Sequence, residues 1–442
     1  MQFSSNEAVS SSHSNSGVPL IPRDRMLPFI LVTALFFLWG VPNNFNDILI
    51  RQFMKSFEIS RLQASLVQFA FYMGYFLLAV PAGIIMRRAG YKAGILIGLC
   101  LFGAGCILFW PAALVAQYWF FLTALFVIAS GLAFLETAAS PFIIQLGSAE
   151  TAAQRVNLSQ AFNPLGSISA LIIGSRFIFS GIELKPAEVA VLQAQHQYQD
   201  YLRQETLRVI VPYLVLGSVV LLWAVLIALT RFPHTGLDYS RNTIEHDISK
   251  PLWRRRHFVF AVLAQFLYVG AQVGAWSWQI PYVQAYTGVG ERTAGYLLTA
   301  ALVALTAGRF FSSWLLHRVR ASHLLAVFAI ANTVLCFLAV AFPGWFGVGC
   351  LIANSFFMSM MYPTIFALGV KGMGTRTKTA SGVIVMSIVG GAVIPLAMGA
   401  ITDKAVSYVI PALCFVGIAL YALFAAEPDR EEVAADPSVA LG

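Results

Sequence analysis

Apolar runs long enough to cross a bilayer, each of about 20 residues, recur along this chain from end to end. Read with that window, the sequence holds about twelve of them. They cover residues 27–51, 62–86, 93–113, 118–146, 156–179 and 208–230, then 258–285, 293–316, 324–342, 345–370, 379–401 and 406–425. Only 11% of the 442 residues are charged, against roughly 25% in soluble globular chains. A chain of this length has enough apolar surface for a large soluble core but too little charge to keep it dissolved. The spacing therefore predicts an all-α membrane protein.

The polar segments divide the chain. Residues 1–26 are rich in Ser and Asn and read as a disordered cytoplasmic tail with no signal peptide. Residues 27–230 form an N-terminal six-helix half and 258–426 a C-terminal one, joined by a basic cytoplasmic linker at 231–257. Residues 427–442 form a second cytoplasmic tail. The net charge of +8 gathers in short loops such as Arg87, Arg88 and Lys92, Arg254 to Arg256, and Lys371 to Lys378. Lys and Arg are far sparser in the alternate loops, so the charge bias places both termini in the cytoplasm. It reads as membrane orientation, with no basic stripe for nucleic acid.

Ionisable and amide side chains inside spans are costly there and are functional candidates by default. Asp47 lies in the run Pro42-Asn43-Asn44-Phe45-Asn46-Asp47 of the first span. Asn43 and Asn44, four and three residues earlier, share its helix face. Such a group suits a sugar hydroxyl, or a proton where burial makes the bare charge costly; an interfacial cap is the plainer reading. Glu136 stands among small residues in the fourth span, which leaves room for a ligand or for close helix approach. A structural pairing with Arg176 or Arg309 is its alternative. The fifth span carries a stripe of Asn157, Gln160, Asn163 and Ser167, and the seventh one of Gln265, Tyr268, Gln272, Trp276 and Gln279. Lipid cannot satisfy such stripes, so they face other helices or a polar cavity. Two stripes, one in each half, fit a shared cavity in which amides bond hydroxyls and Trp or Tyr faces stack on a sugar ring. Asn354, Ser359 and Tyr362 add a weaker set in the tenth span. Arg309 either snorkels to the interface or pairs with a carboxylate. Arg176 reads as structural.

The plan of two six-span halves around a basic loop resembles the major facilitator superfamily. Its loop motif after the second span survives as Gly83, Arg87, Arg88, Gly90 and Lys92, with Arg87 where an acidic residue is usual. More closely, the chain resembles the L-fucose–proton symporters. The strings are Phe36-Phe37-Leu38-Trp39, Asn43 to Leu49, Phe71-Tyr72-Met73-Gly74-Tyr75-Phe76, Leu135-Glu136-Thr137-Ala138-Ala139, Gly308-Arg309-Phe310 and Tyr362-Pro363-Thr364-Ile365-Phe366. The resemblance implies a proton-coupled importer of a monosaccharide, L-fucose or a close analogue, working by alternating access. Relatives that carry glucose or galactose, or a non-transporting sensor on the same scaffold, are the alternatives. It assigns proton coupling to Asp47 and Glu136. It assigns sugar contact to Asn44, Glu136, Gln160, Asn163, Gln272 and Trp276, and their places on the polar faces add Asn43 and Tyr362 as substrate-binding candidates. Ser140 departs from the family's Asn, Pro42 and Pro164 interrupt strings that match on both sides, and Arg176 has no counterpart.

The implied coupling ion is a proton, with no cofactor and no metal. The implied setting is the cell inner membrane, as a monomer. An enzyme is not expected, because all seven histidines fall in tails, loops or span ends. The five cysteines lie inside apolar runs without metal-ligand spacing. No ring of repeated charges suggests a channel.

Overall fold

A computed structural model describes residues 20–60, 63, 66–148, 150–178, 186–233 and 251–426. The expected tails at 1–19 and 427–442, and residues 234–250 of the linker, lie outside the described residues. What is described is helical throughout. The first half runs α1 (Met26–Ser56), α2 (Leu66–Val115), α3 (Tyr118–Gln145), α4 (Ala152–Gln160), α5 (Asn163–Ile173), α6 (Pro186–Ala194), α7 (Tyr198–Leu207) and α8 (Ile210–Leu229). The second runs α9 (Arg256–Thr287), α10 (Glu291–Leu315), α11 (Ala321–Ala341), α12 (Trp345–Met358), α13 (Met361–Gly369), α14 (Thr377–Met386), α15 (Gly390–Gly399) and α16 (Val409–Phe424).

Ten stretches are individually long and apolar enough to cross a membrane. One of them, α2, has 50 residues, which at about 1.5 Å per residue reaches about 75 Å, more than twice a hydrocarbon core. It is two spans joined at Gly90, whose backbone (φ 82, ψ 170) leaves the helix in a region open to glycine alone. The broken pair α4–α5 supplies the twelfth span. The segment α6–α7, which the hydropathy pattern passes over, is a pair of short helices. Glu205 ties α7 to α1 through Gln52, 2.9 Å away, and Lys55, 3.2 Å away.

The surface is apolar where lipid would stand. Leu229, Leu396 and Phe424 are more than three-quarters exposed, which in water would be an aggregation hazard. Lys and Arg are concentrated at one end, called here the basic end, and several of them serve the fold. Lys92 donates to the last carbonyls of α8, at Ala228 (2.8 Å) and Thr230 (2.9 Å), the orphan acceptors a helix C-terminus presents. Arg155 is completely buried and caps the C-terminal end of α3 through Ile143, Ile144 and Ser148.

The halves meet tightly toward the basic end. A Cβ at Gly83 would stand 2.5 Å from the carbonyl oxygen of Lys378, and Gly382 lies as close to Ala79. Only glycine permits backbones to approach so nearly. Across the same seam Asn157 Nδ2 donates to Thr364 Oγ1 at 3.1 Å and Ser313 Oγ to the Gln154 carbonyl at 3.4 Å. The Lys378 ammonium lies 4.8 Å from the Tyr91 ring centre.

Candidate substrate and proton site

Glu136 is placed by α3 about nine residues from its basic end, hence about 14 Å deep. Nearly every residue of α3 around it is buried, and Glu136 itself is 7% exposed. Its carboxylate interacts with the hydroxyls of Tyr75 on α2 and Tyr362 on α13, and electrostatically with Arg309 on α10. The Tyr362 contact falls outside strict hydrogen-bond geometry. Two of these three partners belong to the other half of the molecule. A buried carboxylate is tolerable only with such donors around it.

Arg309 does not snorkel. It is 4% exposed and reaches across the seam, donating from Nη1 to the Gln160 backbone carbonyl and, at 3.4 Å, to Gln160 Oε1. Tyr268 also interacts with it. Glu136, Tyr362, Arg309 and Gln160 therefore form one polar cluster shared by both halves. Several polar atoms at this level are buried without partners: Gln160 Nε2, Arg309 Nε, Thr137 Oγ1 and Ser140 Oγ. Buried polar atoms are ordinarily satisfied, so these four stand out in the interior.

Above it, away from the basic end, Asn44 and Asn163 share a wall. The Asn163 amide donates to the Phe36 carbonyl at 3.2 Å and the Asn44 amide to the Gly40 carbonyl at 3.2 Å. Asn43, on the same stretch of α1, has its Oδ1 buried and unpartnered. All three are half-buried, as are Gln272 and Trp276 on α9 of the other half. Trp276 Nε1 donates to Ser355 Oγ on α12 at 3.1 Å, which fixes the plane of its ring. Of Asp47 the structure places the backbone in α1, about 14 Å from the far end; its side chain is not among those described.

The two polar stripes divide. Asn157 and Ser167 bond inside helix contacts, as do Tyr268 (to the Met358 carbonyl, 3.1 Å) and Gln279 (to the Leu297 carbonyl, 3.3 Å). Asn354 pairs with Asn332 inside the second half. Gln265 is fully buried with neither amide atom partnered. Asn157, Ser167, Tyr268, Gln279 and Asn354 thus join helices to one another, whereas Asn163, Gln272 and Trp276 remain half-buried. Arg176 sits exposed in a π-helical turn, Gly174–Ile178. Tyr75 entered the sequence reading only within a matching string. A hydroxyl-bearing ring inside an apolar span was its available signal.

Residues 28–395 match the family model described as Major Facilitator Superfamily. The chain belongs to the Major Facilitator Superfamily. It is 42% identical over 410 residues to the L-fucose-proton symporter of Escherichia coli (strain K12), covering 91% of this chain and 94% of that protein. Similarity extends to the glucose/galactose transporter of Brucella abortus, at 35% over 397 residues, with 89% of this chain and 92% of that one. Among solved structures, FucP in the outward conformation superposes with a TM-score of 0.83 at 41% identity, covering 91% of this chain and 99% of that one. A proton:xylose symporter, 14% identical with a TM-score of 0.66, shares the fold. The expectation of a superfamily fold drawn from the sequence strings holds over the whole membrane domain.

Proposed function

We propose that the protein is a proton-coupled symporter that imports a monosaccharide, L-fucose or a close analogue, by alternating access. The observation that carries this reading is Glu136: a buried carboxylate at mid-depth, touched by hydroxyls of both halves and facing a cation from the opposite half. A proton arriving there changes the charge balance across the seam along which the halves must part. The kinship with a relative named for fucose and proton supports the substrate and the ion.

In this reading Asn43, Asn44 and Asn163 from one half and Gln272 and Trp276 from the other hold the sugar. Amides bond its hydroxyls, and the Trp276 face takes its apolar side. Asp47 and Glu136 bear the proton. The basic end faces the cytoplasm, consistent with the distribution of Lys and Arg, and the protein works as a monomer in the cell inner membrane. In that orientation the end closed by Gly83, Gly382 and Asn157 is the cytoplasmic one.

A glucose/galactose carrier is the second reading, favoured by the 35% identity to a transporter of that name. Counterflow of labelled L-fucose in proteoliposomes, competed by a panel of monosaccharides, separates the two. Fucose and its close analogues should compete while glucose and galactose do not; the reverse order selects the second reading. A protonophore should abolish accumulation and leave counterflow intact.

A further inference from the structure

Pro164 follows directly on the sugar-side Asn163, and its ring removes one donor from the chain. In a continuous helix the N–H of residue 164 would bond to the carbonyl of residue 160. Proline has no N–H, so α4 ends at Gln160 and α5 restarts at Asn163. The neighbouring donors do not reach it: Ala161 N keeps the helical bond to the Asn157 carbonyl at 3.0 Å, Phe162 N bonds the Ser159 carbonyl at 3.3 Å, and Gly166 N bonds the Phe162 carbonyl at 3.2 Å. The Gln160 carbonyl, inside a residue 3% exposed, is left for a donor from outside the helix. That donor is the Arg309 guanidinium of the opposite half. Beside it Phe162, in the break itself, packs edge-on against Phe310, ring centres 6.4 Å apart.

We propose that Pro164 is a positioning residue for transport: by freeing the Gln160 carbonyl it creates a backbone acceptor that latches Arg309 across the seam while the basic end is closed. The latch differs from the Glu136–Arg309 attraction in kind. A carboxylate loses its charge on protonation, whereas a carbonyl accepts in every protonation state. Arg309 is thus held by one acceptor that responds to the proton and, at Gln160, by oxygens that do not. Each parting of the halves at the basic end breaks the second bond as well as the first. Pro164 thereby biases the resting molecule toward the closed basic end, and the proton has to work against that bias.

The conformational part of this proposal holds whatever the molecule carries; only its consequence for uptake rests on the symport reading. The test is made on the full chain in lipid nanodiscs, without sugar. Spin labels go on cysteines replacing Arg88 and Lys371, both exposed at the basic end, with the exposed Cys100 changed to Ser. Pro164→Ala restores the N–H and lets the helix satisfy Gln160 internally. It should raise the ratio of long to short label distances by about tenfold, the scale of one bond to a charged donor. Pro164→Gly, which restores the same N–H, should shift it in the same direction. Arg309→Gln should shift it at least as far, and adding Pro164→Ala to Arg309→Gln should move it no further. An unchanged distance distribution in both Pro164 variants overturns the proposal, as does a shift that persists in full without Arg309. Fucose counterflow on the same samples tests the substrate reading separately, so one can fail while the other stands.

Discussion

At Glu136 a single proton alters the balance of a buried cluster. The carboxylate interacts with Tyr75, Tyr362 and the charge of Arg309, in surroundings where each unpaired polar group is expensive. Glu136→Gln keeps the shape and removes both the charge and the titration. The amide offers a donor where the site is built around an acceptor, so it meets the two tyrosine hydroxyls wrongly. Sugar affinity in counterflow should fall by about tenfold or more, the scale of one mispaired buried group, and accumulation should lose its dependence on external pH. Wild-type affinity and an unchanged pH profile would make Glu136 a structural residue. Its candidacy was legible in the sequence because a lone carboxylate in an apolar run is conspicuous. Its partners were less so. Arg309 lies far along the chain, and its depth depends on a seam between halves that no local pattern encodes. Tyr75 was hidden because a tyrosine in a span usually reads as an interfacial ring.

At the scale of elements, helix ends show how the loops are fastened. Asp403 follows α15 and accepts from the N–H groups of Ala405 (2.8 Å) and Val406 (3.0 Å) and from the Tyr286 hydroxyl (2.7 Å). These bonds, that from the Val406 N–H foremost and that from Tyr286 next, hold its carboxyl below the usual carboxylate range. A carboxyl held down in the folded state contributes stability above its unfolded pKa and loses it as pH falls through the folded value. Asp403→Ala should therefore lower the melting temperature at neutral pH, and the gap to wild type should close as pH drops below the usual carboxylate range. Asp403→Ser, which keeps an accepting oxygen for the turn, should recover part of the loss; equal melting at all pH values would refute the cap.

The same scale explains what the sequence withheld. Span existence followed from hydropathy almost throughout, because lipid enforces length and apolarity together. The α4–α5 break is written in Pro164, yet its meaning depends on Arg309, which only folding brings near. The helices α6 and α7 carry too many polar residues for a span pattern, and α7 docks through the buried Glu205 rather than through an apolar stripe. The division of each polar stripe into helix-joining and half-buried residues was illegible for the same reason. Amides one turn apart look alike until the neighbouring helix is known.

For the whole molecule the question is how proton movement becomes directional. The halves are closed at the basic end through Gly83, Gly382, Asn157 and Arg309, while Asn43, Asn44, Gln272 and Trp276 stay half-exposed. Rocking to the opposite state carries the central cluster through a seam where an uncompensated carboxylate is costly. Asp47, whose backbone lies on α1 about 14 Å from the far end, is the second residue proposed to bear the proton. Asp47→Asn would mimic its neutral, protonated form permanently. Halves that no longer await a proton should still exchange sugar for sugar, since counterflow moves no net charge. They should fail to accumulate it, since nothing couples entry to the gradient. Both rates, measured on the same purified variant in liposomes, should show accumulation falling to equilibration while counterflow persists. If Asp47 is merely a cap for α1, the variant will be less abundant but will accumulate sugar with the wild-type proton dependence. Coupling would then rest on Glu136 alone. That outcome would also sharpen the role of the Gln160 latch, because a single titrating group would have to release a seam held partly by an acceptor that no proton can weaken.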